Sequence, residues 1–430
     1  MKSVVLQQKE ERGALLGKVY LKRILIDDAE QYLSSNLIKL ITGPRRAGKS
    51  VFALQLLSSK DFAYLNFDDE LLLSSFDEDA IMQALLEVYP QFQYLLLDEI
   101  QNVPHWEMWV AKLYRRGINL VITGSNARLL SSEMATMLTG RYVQIEVLPF
   151  GLKEVLAFRQ VGQSAETPVQ KANLMLQMED YIVYGGFPET LALRSITRNY
   201  LSALFDSVLL KDITRRFKIR NSNELYNLAT YLLSNYGNPF SLSQLVDDLS
   251  LGSKATAQKF CSYLEETYVF FYLPRFNNKF KLMRKAPLKP YIVDNGFIAA
   301  RAFELSPNKG RLLENTVMVE LIRRGYKQGQ SLFYYRSRNN KEVDFVCRKG
   351  TQVEHLIQVS YDVKTPKTLK REISALLECA GELHCDNLLL LTWDEDKTVE
   401  QDHQSIKLIP VWKWMTDWKI TGQIPSPTLV

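Results

Sequence analysis

Residues 37–42 read LIKLIT and residues 43–50 read GPRRAGKS. A short apolar run bounded by a Gly-rich turn is a buried strand, and the helical pattern KSVFALQLLSS that follows completes a strand, loop and helix. The loop fits G-x-x-x-x-G-K-[ST] at every position, in the context the motif requires. The residue types follow from phosphate chemistry. Gly43 and Gly48 let the backbone curl its N–H groups inward around a polyphosphate. Pro44, Arg45, Arg46 and Ala47 complete the cradle, and the helix from Lys49 adds the positive end of its dipole. Lys49 sets a charge against the β- and γ-phosphates, and the Ser50 hydroxyl ligates Mg²⁺.

The other half of such a site lies at Tyr94–Glu99, YLLLDE. An apolar strand ending in a carboxylate supplies the metal anchor, Asp98, and the adjacent Glu99 is the expected base for the attacking water. The run Leu120–Thr123 ends in Gly124-Ser125-Asn126, where Ser125 or Asn126 would sense the terminal phosphate. An ordinary turn is the competing reading there. The chain lacks an Asn-Lys-x-Asp base-reading motif and a DxxG after the strand, which favours ATP over GTP. Further apolar runs at 62–67, 119–123 and 142–147 alternate with helical stretches. The first 150 residues therefore read as an α/β domain with a mostly parallel sheet. Trp106, Trp109, Val110 and Leu113 form an i, i+3, i+4, i+7 stripe that is core packing.

Downstream, VGQSAETPVQ (161–170) is a polar linker or exposed loop, and helical patterns run to about residue 235. Ser241-x-x-Gln244 is a candidate capping box opening SLSQLVDDL. The helix KATAQKFCSYLEE follows, with Ala257, Phe260, Cys261 and Leu264 on one face and Lys254, Thr256 and Lys259 opposite. TYVFFYLPRFNNKFKLM then reads as a hairpin turning at Asn277-Asn278. Helix, turn, helix, hairpin is the outline of a winged helix-turn-helix. From about residue 301 a helix, strands near 332–336, 342–347 and 356–361, a helix near 368–380 and the strand NLLLLT make a second α/β unit.

GPRRAGKS, LLLDEIQNVPHWE, VITGSNARLL and LTGRYVQIEVLPFGLKEVL together resemble the AAA-type branch of P-loop ATPases. They resemble in particular a bacterial and archaeal group in which that ATPase is fused to a C-terminal domain of unknown function. YGGFPE (184–189), KDITRRFKI (211–219), YIVDNGF (291–297), LLENTVMVEL (312–321) and KEVDFV (341–346) match its second half but carry no defined chemistry. The resemblance implies an AAA-type core at 1–150 and a helical lid or linker at 151–236. It implies a winged helix-turn-helix at 237–300 and a restriction-endonuclease-like domain at 301–430. In the group, Gly140-Arg141 precedes the last core strand. Arg141 is then an arginine finger, in cis or in trans, or else a surface arginine in a turn. Arg215 and Arg216 are either lid arginines or a solvated basic face. Against the nuclease constellation of an acid, an Asp and Glu-x-Lys, the chain offers Glu314, Asp344 and Gln358-Val359-Ser360, so cleavage is not expected.

Composition sets the outer bounds. The chain has 430 residues, 46% hydrophobic and 23% charged, which reads as a soluble protein of several domains. The net charge is only +5, but about seven net positive charges fall between residues 207 and 290. Arg275, Lys279, Lys281, Arg284, Lys285 and Lys289 are the phosphate-contact candidates, for DNA or, on the competing reading, a protein partner. Four cysteines without CxxC or zinc spacing are expected to be reduced thiols. No secretory signal or membrane-length apolar run is visible, which places the chain in the cytoplasm. The leading reading is a slow ATPase, with ATP and Mg²⁺ as ligands, whose nucleotide switch acts on nucleic acid or a partner, as a monomer or homo-oligomer. A scaffold that holds ATP with negligible turnover and a nucleotide-gated nuclease are the alternatives.

Overall fold

A computed structural model describes residues 1–125, 138–302 and 308–417. The chain divides into two compact units, one built around Met1–Pro149 and the other around Phe150–Glu265 and the chain from Val269 onward.

In the first unit five strands form one parallel sheet. They are β1 (Ile38–Thr42), β2 (Phe62–Asn66), β3 (Tyr94–Asp98), β4 (Asn119–Gly124) and β5 (Tyr142–Glu146), in the order β2-β3-β4-β1-β5. The runs are continuously apolar because helices cover both faces of the sheet. Ile38, Leu40, Leu65, Leu95, Leu97, Leu120 and Ile122 pack toward Ile81, Leu85, Trp109 and Leu113. The alternate residues Ile41, Tyr64, Leu96, Val121 and Ile145 pack toward Phe52, Ala53 and Leu56 of the phosphate-loop helix Lys49–Leu56. Each strand thus has one set of side chains in each of two cores. The Trp106–Leu113 stripe is buried as its spacing implies. Because β4 lies between β1 and β3, its C-terminal end meets both the phosphate loop and the carboxylate pair.

The second unit begins with helices Leu152–Phe158, Pro168–Tyr184 and Thr197–Ser207. Thr167 caps the second in a full capping box with Gln170. Val208–Arg215 is π-helical, with Thr214 Oγ1 donating to the Leu209 carbonyl at 2.9 Å. Helices Ser222–Ser234, Leu242–Leu249 and Lys254–Glu266 follow, then the antiparallel pair β6 (Phe270–Pro274) and β7 (Leu288–Ile292). Two expectations need correction here. Ser241 Oγ does accept from Gln244 N at 3.2 Å, but the Gln244 amide donates to Tyr231 Oη instead of closing the box. The strand pair does not turn at Asn277-Asn278. Pro274 ends β6, Asn277 Oδ1 caps the Lys279 amide at 2.8 Å, and Phe280–Met283 form a helical turn inside a connection that runs from 275 to 287.

The rest of that unit is a mixed sheet, order β12-β13-β11-β10-β9-β8. Its strands are β8 (Leu332–Arg336), β9 (Glu342–Lys349), β10 (Gln352–Ser360), β11 (Leu388–Thr392), β12 (Lys397–Gln401) and β13 (Gln404–Pro410). Helix Pro366–Leu383 covers one face through Ile373, Leu376, Cys379 and Ala380.

Three of the motifs that lacked a chemistry in the sequence meet in a buried polar clasp. Asp294 accepts from Gly186 N at 2.7 Å and Gly296 N at 2.8 Å, and burial pushes its carboxyl up to about 6. Asn295 Nδ2 donates to the Ile182 and Leu312 carbonyls, at 2.6 and 3.0 Å. Asn315 pairs with both backbone groups of Ile292, each at 2.8 Å. YGGFPE, YIVDNGF and LLENTVMVEL are therefore one structural joint.

Candidate functional site

Gly43 leaves β1 with φ 139°, and a Cβ there would lie 2.1 Å from the Val147 carbonyl oxygen, so only glycine fits. Gly48, at φ 89°, is the N-cap of helix Lys49–Leu56. Between them Pro44 and Ala47 are buried, Arg45 is half-buried and Arg46 is exposed at φ 67°. Lys49 Nζ donates to the Pro44 carbonyl at 3.0 Å and so lies along the inside of the loop. Arg23, with no motif to announce it, braces the loop from behind. Its Nη1 donates to the Ala47 carbonyl at 3.1 Å and its Nη2 to Leu148 at 2.8 Å.

Ser50 Oγ donates to Asp98 Oδ1 at 2.9 Å, joining the two halves of the site. Thr123 Oγ1, from the intervening β4, donates to the same oxygen, and Tyr64 Oη lies 3.4 Å from Oδ2. Burial, then the neighbouring Glu99 charge, pushes the Asp98 carboxyl up to about 6 against the two hydroxyl bonds and Lys49. Glu99 sits just past β3 at φ 53°, with its amide donating to Thr123 Oγ1 at 3.0 Å. Its Oε2 accepts from the Gln101 amide and from Ser125 Oγ, the latter at 3.4 Å. Gln101 and Ser125 also touch each other at 3.4 Å. Gln101 is thus a positioning residue that sequence reading missed, because a lone glutamine carries no motif signal. Its Oε1 is buried without a hydrogen-bond partner beside the Glu99 carboxylate. Of the two sensor candidates, Ser125 reaches Glu99, and Asn126 lies outside the described residues.

Arg141 lies at the other end of the sheet. Its carbonyl accepts from Ile38 N at 2.8 Å, where β1 begins, whereas the phosphate loop starts where β1 ends. At about 3.3 Å per residue, that is roughly 16 Å along the strand. A cis finger is therefore out of reach, and the guanidinium lies 5.8 Å from the Tyr114 ring.

In the second unit the basic candidates separate. Lys254, Lys259, Lys279, Lys281, Arg284 and Lys285 are exposed, as are Arg215 and Arg216 on and beside the π-helical stretch. Arg275 donates to the Arg336 carbonyl at 2.7 Å. Lys289 is a correction: it is 2% exposed and no phosphate contact. Its Nζ lies 3.2 Å from Glu314, 2.8 Å from Glu342 and 3.7 Å from Asp344. Burial opposes its charge, but the carboxylates outweigh that and hold the ammonium protonated above the ordinary lysine range. Burial, then Glu314, raises Asp344 well above the usual carboxylate range. Glu314, Asp344 and Gln358 lie in one neighbourhood around Lys289. The Asp344 amide donates to Gln358 Oε1 at 3.2 Å, Asp344 Oδ2 accepts from Val359 N at 2.9 Å, and Gln358 Nε2 donates to Glu372 at 2.9 Å. Ser360 donates to the Asp362 carbonyl at 3.5 Å. All four cysteines are buried free thiols. No helix among the described residues is long and apolar enough to cross a membrane.

A family model described as AAA domain matches residues 35–156. Two models described as domains of unknown function match 175–308 (DUF8612) and 309–414 (DUF4143). An uncharacterized protein of Methanocaldococcus jannaschii is 33% identical over 410 residues, 91% of each chain. An uncharacterized protein of Haemophilus influenzae is 33% identical over 351 residues, 77% of this chain and 84% of that one. Among solved structures, a Walker-type ATPase of Pyrococcus abyssi aligns over 65% of this chain and 95% of that chain, with TM-score 0.43 and 14% identity.

Proposed function

We propose, from the premise that this chain belongs to the family of those archaeal and bacterial proteins and itself joins an AAA domain to two domains of unknown function, that it binds ATP·Mg²⁺ and hydrolyses it slowly as a conformational switch. The observation that carries the reading is the hydrogen bond from Ser50 Oγ to Asp98 Oδ1 at 2.9 Å, with the Glu99 carboxylate held one residue on by Gln101 and Ser125. Ser50 and Asp98 are the residues that would hold Mg²⁺, which when bound supplies a Lewis acid for the phosphoryl oxygens. The loop from Gly43 to Gly48 cradles the phosphates, Lys49 offsets their charge, and Glu99 accepts the proton of the attacking water. Ser125 couples the end of β4 to that base.

We read helices Leu242–Leu249 and Lys254–Glu266 with β6 and β7 as a winged helix whose exposed cations engage nucleic acid under nucleotide control. We read β8 to β11 with helices Lys309–Arg323 and Pro366–Leu383 as a restriction-endonuclease-like scaffold that docks rather than cleaves. Gln358 and Ser360 offer neither the carboxylate nor the ammonium of the nuclease pattern, and Lys289 stands among the acids.

The test is binding and single-turnover hydrolysis of ATP by the full chain and two variants. Lys49→Ala is expected to lose ATP binding. Glu99→Gln is expected to keep it within a few-fold while turnover falls by about 10²–10⁴. Wild-type turnover in Glu99→Gln would remove Glu99 as the base. Absence of turnover in the unmodified chain, with ATP bound, would leave a nucleotide-holding scaffold instead.

A further inference from the structure

Between Glu266 and Asp294 the sequence has no acidic residue, and the middle of that stretch is the connection from 275 to 287 that joins β6 to β7. Its base is fastened on both sides. Phe276 is buried against Phe333 at 5.3 Å between ring centroids, and its amide donates to the Tyr334 carbonyl at 2.7 Å. Tyr334 Oη donates to the Pro287 carbonyl at 2.8 Å, and Met283 packs on the core beneath. The tip is the opposite in character. Phe280 is 67% exposed and Leu282 50% exposed, and Lys279, Lys281, Arg284 and Lys285 around them are exposed as well. The Arg284 guanidinium lies 6.0 Å from the Phe280 ring centroid.

A fixed base, an uncovered aromatic ring and four cations that form no ion pair among the described residues are a combination with a specific use. Cations take the phosphates of any nucleic acid. An exposed ring adds affinity only where a base offers its face, and in a duplex those faces are already stacked. The helical turn Phe280–Met283 is about 6 Å long, too short to read a major groove. We propose that this tip is a binding site for single-stranded nucleic acid, in which Phe280 stacks on an unpaired base while Lys279, Lys281, Arg284 and Lys285 hold the flanking phosphates. The proposal rests on the nucleic-acid reading of the winged unit and narrows it to one strand state and one ring.

The experiment is fluorescence anisotropy of the full chain with a labelled mixed-sequence single-stranded oligonucleotide and with its duplex, across a salt series. The single strand is expected to bind more tightly. Phe280→Ala should weaken it by about tenfold, within the range for one lost base stack, with an unchanged salt slope and unchanged duplex affinity. Phe280→Trp should restore it. Lys281→Glu with Arg284→Glu should weaken both ligands and flatten the slope. Phe280 is exposed, so thermal unfolding of Phe280→Ala should match the wild type and exclude misfolding. Single-strand binding indifferent to Phe280 overturns the stacking site and leaves the broader nucleic-acid reading standing. Binding of neither oligonucleotide overturns both. Phe280-dependent binding to phosphatidylserine vesicles in place of oligonucleotides would make the tip a membrane contact and also overturn the proposal.

Discussion

Asp98 shows how a single residue ties ligand binding to pH. It is 3% exposed, and its folded-state proton is held up to about 6 against an ordinary 3.8. Between those values the folded chain keeps a proton that the unfolded chain has released. The stability contribution of that proton is therefore full below about pH 4 and is lost as pH rises through 6. A metal ion must displace the same proton. Mg²⁺-dependent ATP affinity should consequently fall as pH drops from 7 to 5, approaching tenfold per unit below 6, and the fall should be absent in Asp98→Asn. The ligand's own titration is common to both proteins and cancels in the comparison. Equal pH profiles, measured by calorimetry, would remove Asp98 from the metal's coordination. The residues of the phosphate loop and the Asp98-Glu99 pair were legible because each is part of a spaced motif. Arg23 and Gln101 were not, because their roles come from the fold bringing residues 23 and 47, or 101 and 125, together.

At the scale of elements, β7 shows why charge counting along a sequence misleads. Lys285 and Lys289 are four residues apart in one basic run, yet the first is exposed and the second is 2% exposed among three carboxylates. Lys289 lies in β7, which is buried from Lys289 to Ile292, whereas Lys285 lies in the connection before it, and that boundary is not visible in composition. Lys289→Met should destabilise the second unit by about 3–5 kcal/mol, because it leaves buried carboxylates facing one another without a cation. Lys285→Met should stay within about 0.5 kcal/mol. Chemical denaturation of both variants measures the contrast, and equal losses would contradict the placement of Lys289. The strands of the first sheet were readable as apolar runs because both of their faces are covered. By contrast β12, Lys397–Gln401, is an edge strand with mostly exposed side chains and gave no such run. The connection from 275 to 287 was misread for a related reason. FKLM is apolar enough to pass for strand, but Phe280 and Leu282 stay exposed and the segment closes into a helical turn.

At the scale of the whole molecule, the position of Arg141 at the N-terminal end of β5 turns a question of residues into one of assembly. If it serves as an arginine finger it must serve a neighbouring copy, so ATPase activity per subunit should rise with protein concentration through the range where copies associate. Arg141→Ala mixed with Lys49→Ala should recover part of the activity that each lacks alone. Flat specific activity across an association measured by light scattering would leave Arg141 a surface residue. The glycines of the polar clasp carry a consequence of another kind. A Cβ on Gly185 would lie 1.7 Å from Asp294 Oδ1, one on Gly186 2.0 Å from the Phe150 carbonyl oxygen, and one on Gly296 2.4 Å from Leu201. A single extra methyl group has no room at any of the three. The exposed tip at 279–285, Met283 apart, can exchange almost any side chain without disturbing the fold. Divergence among descendants of this chain is thereby channelled: the joint offers mutation no neighbouring sequence to move to, while the tip can be rewritten one residue at a time.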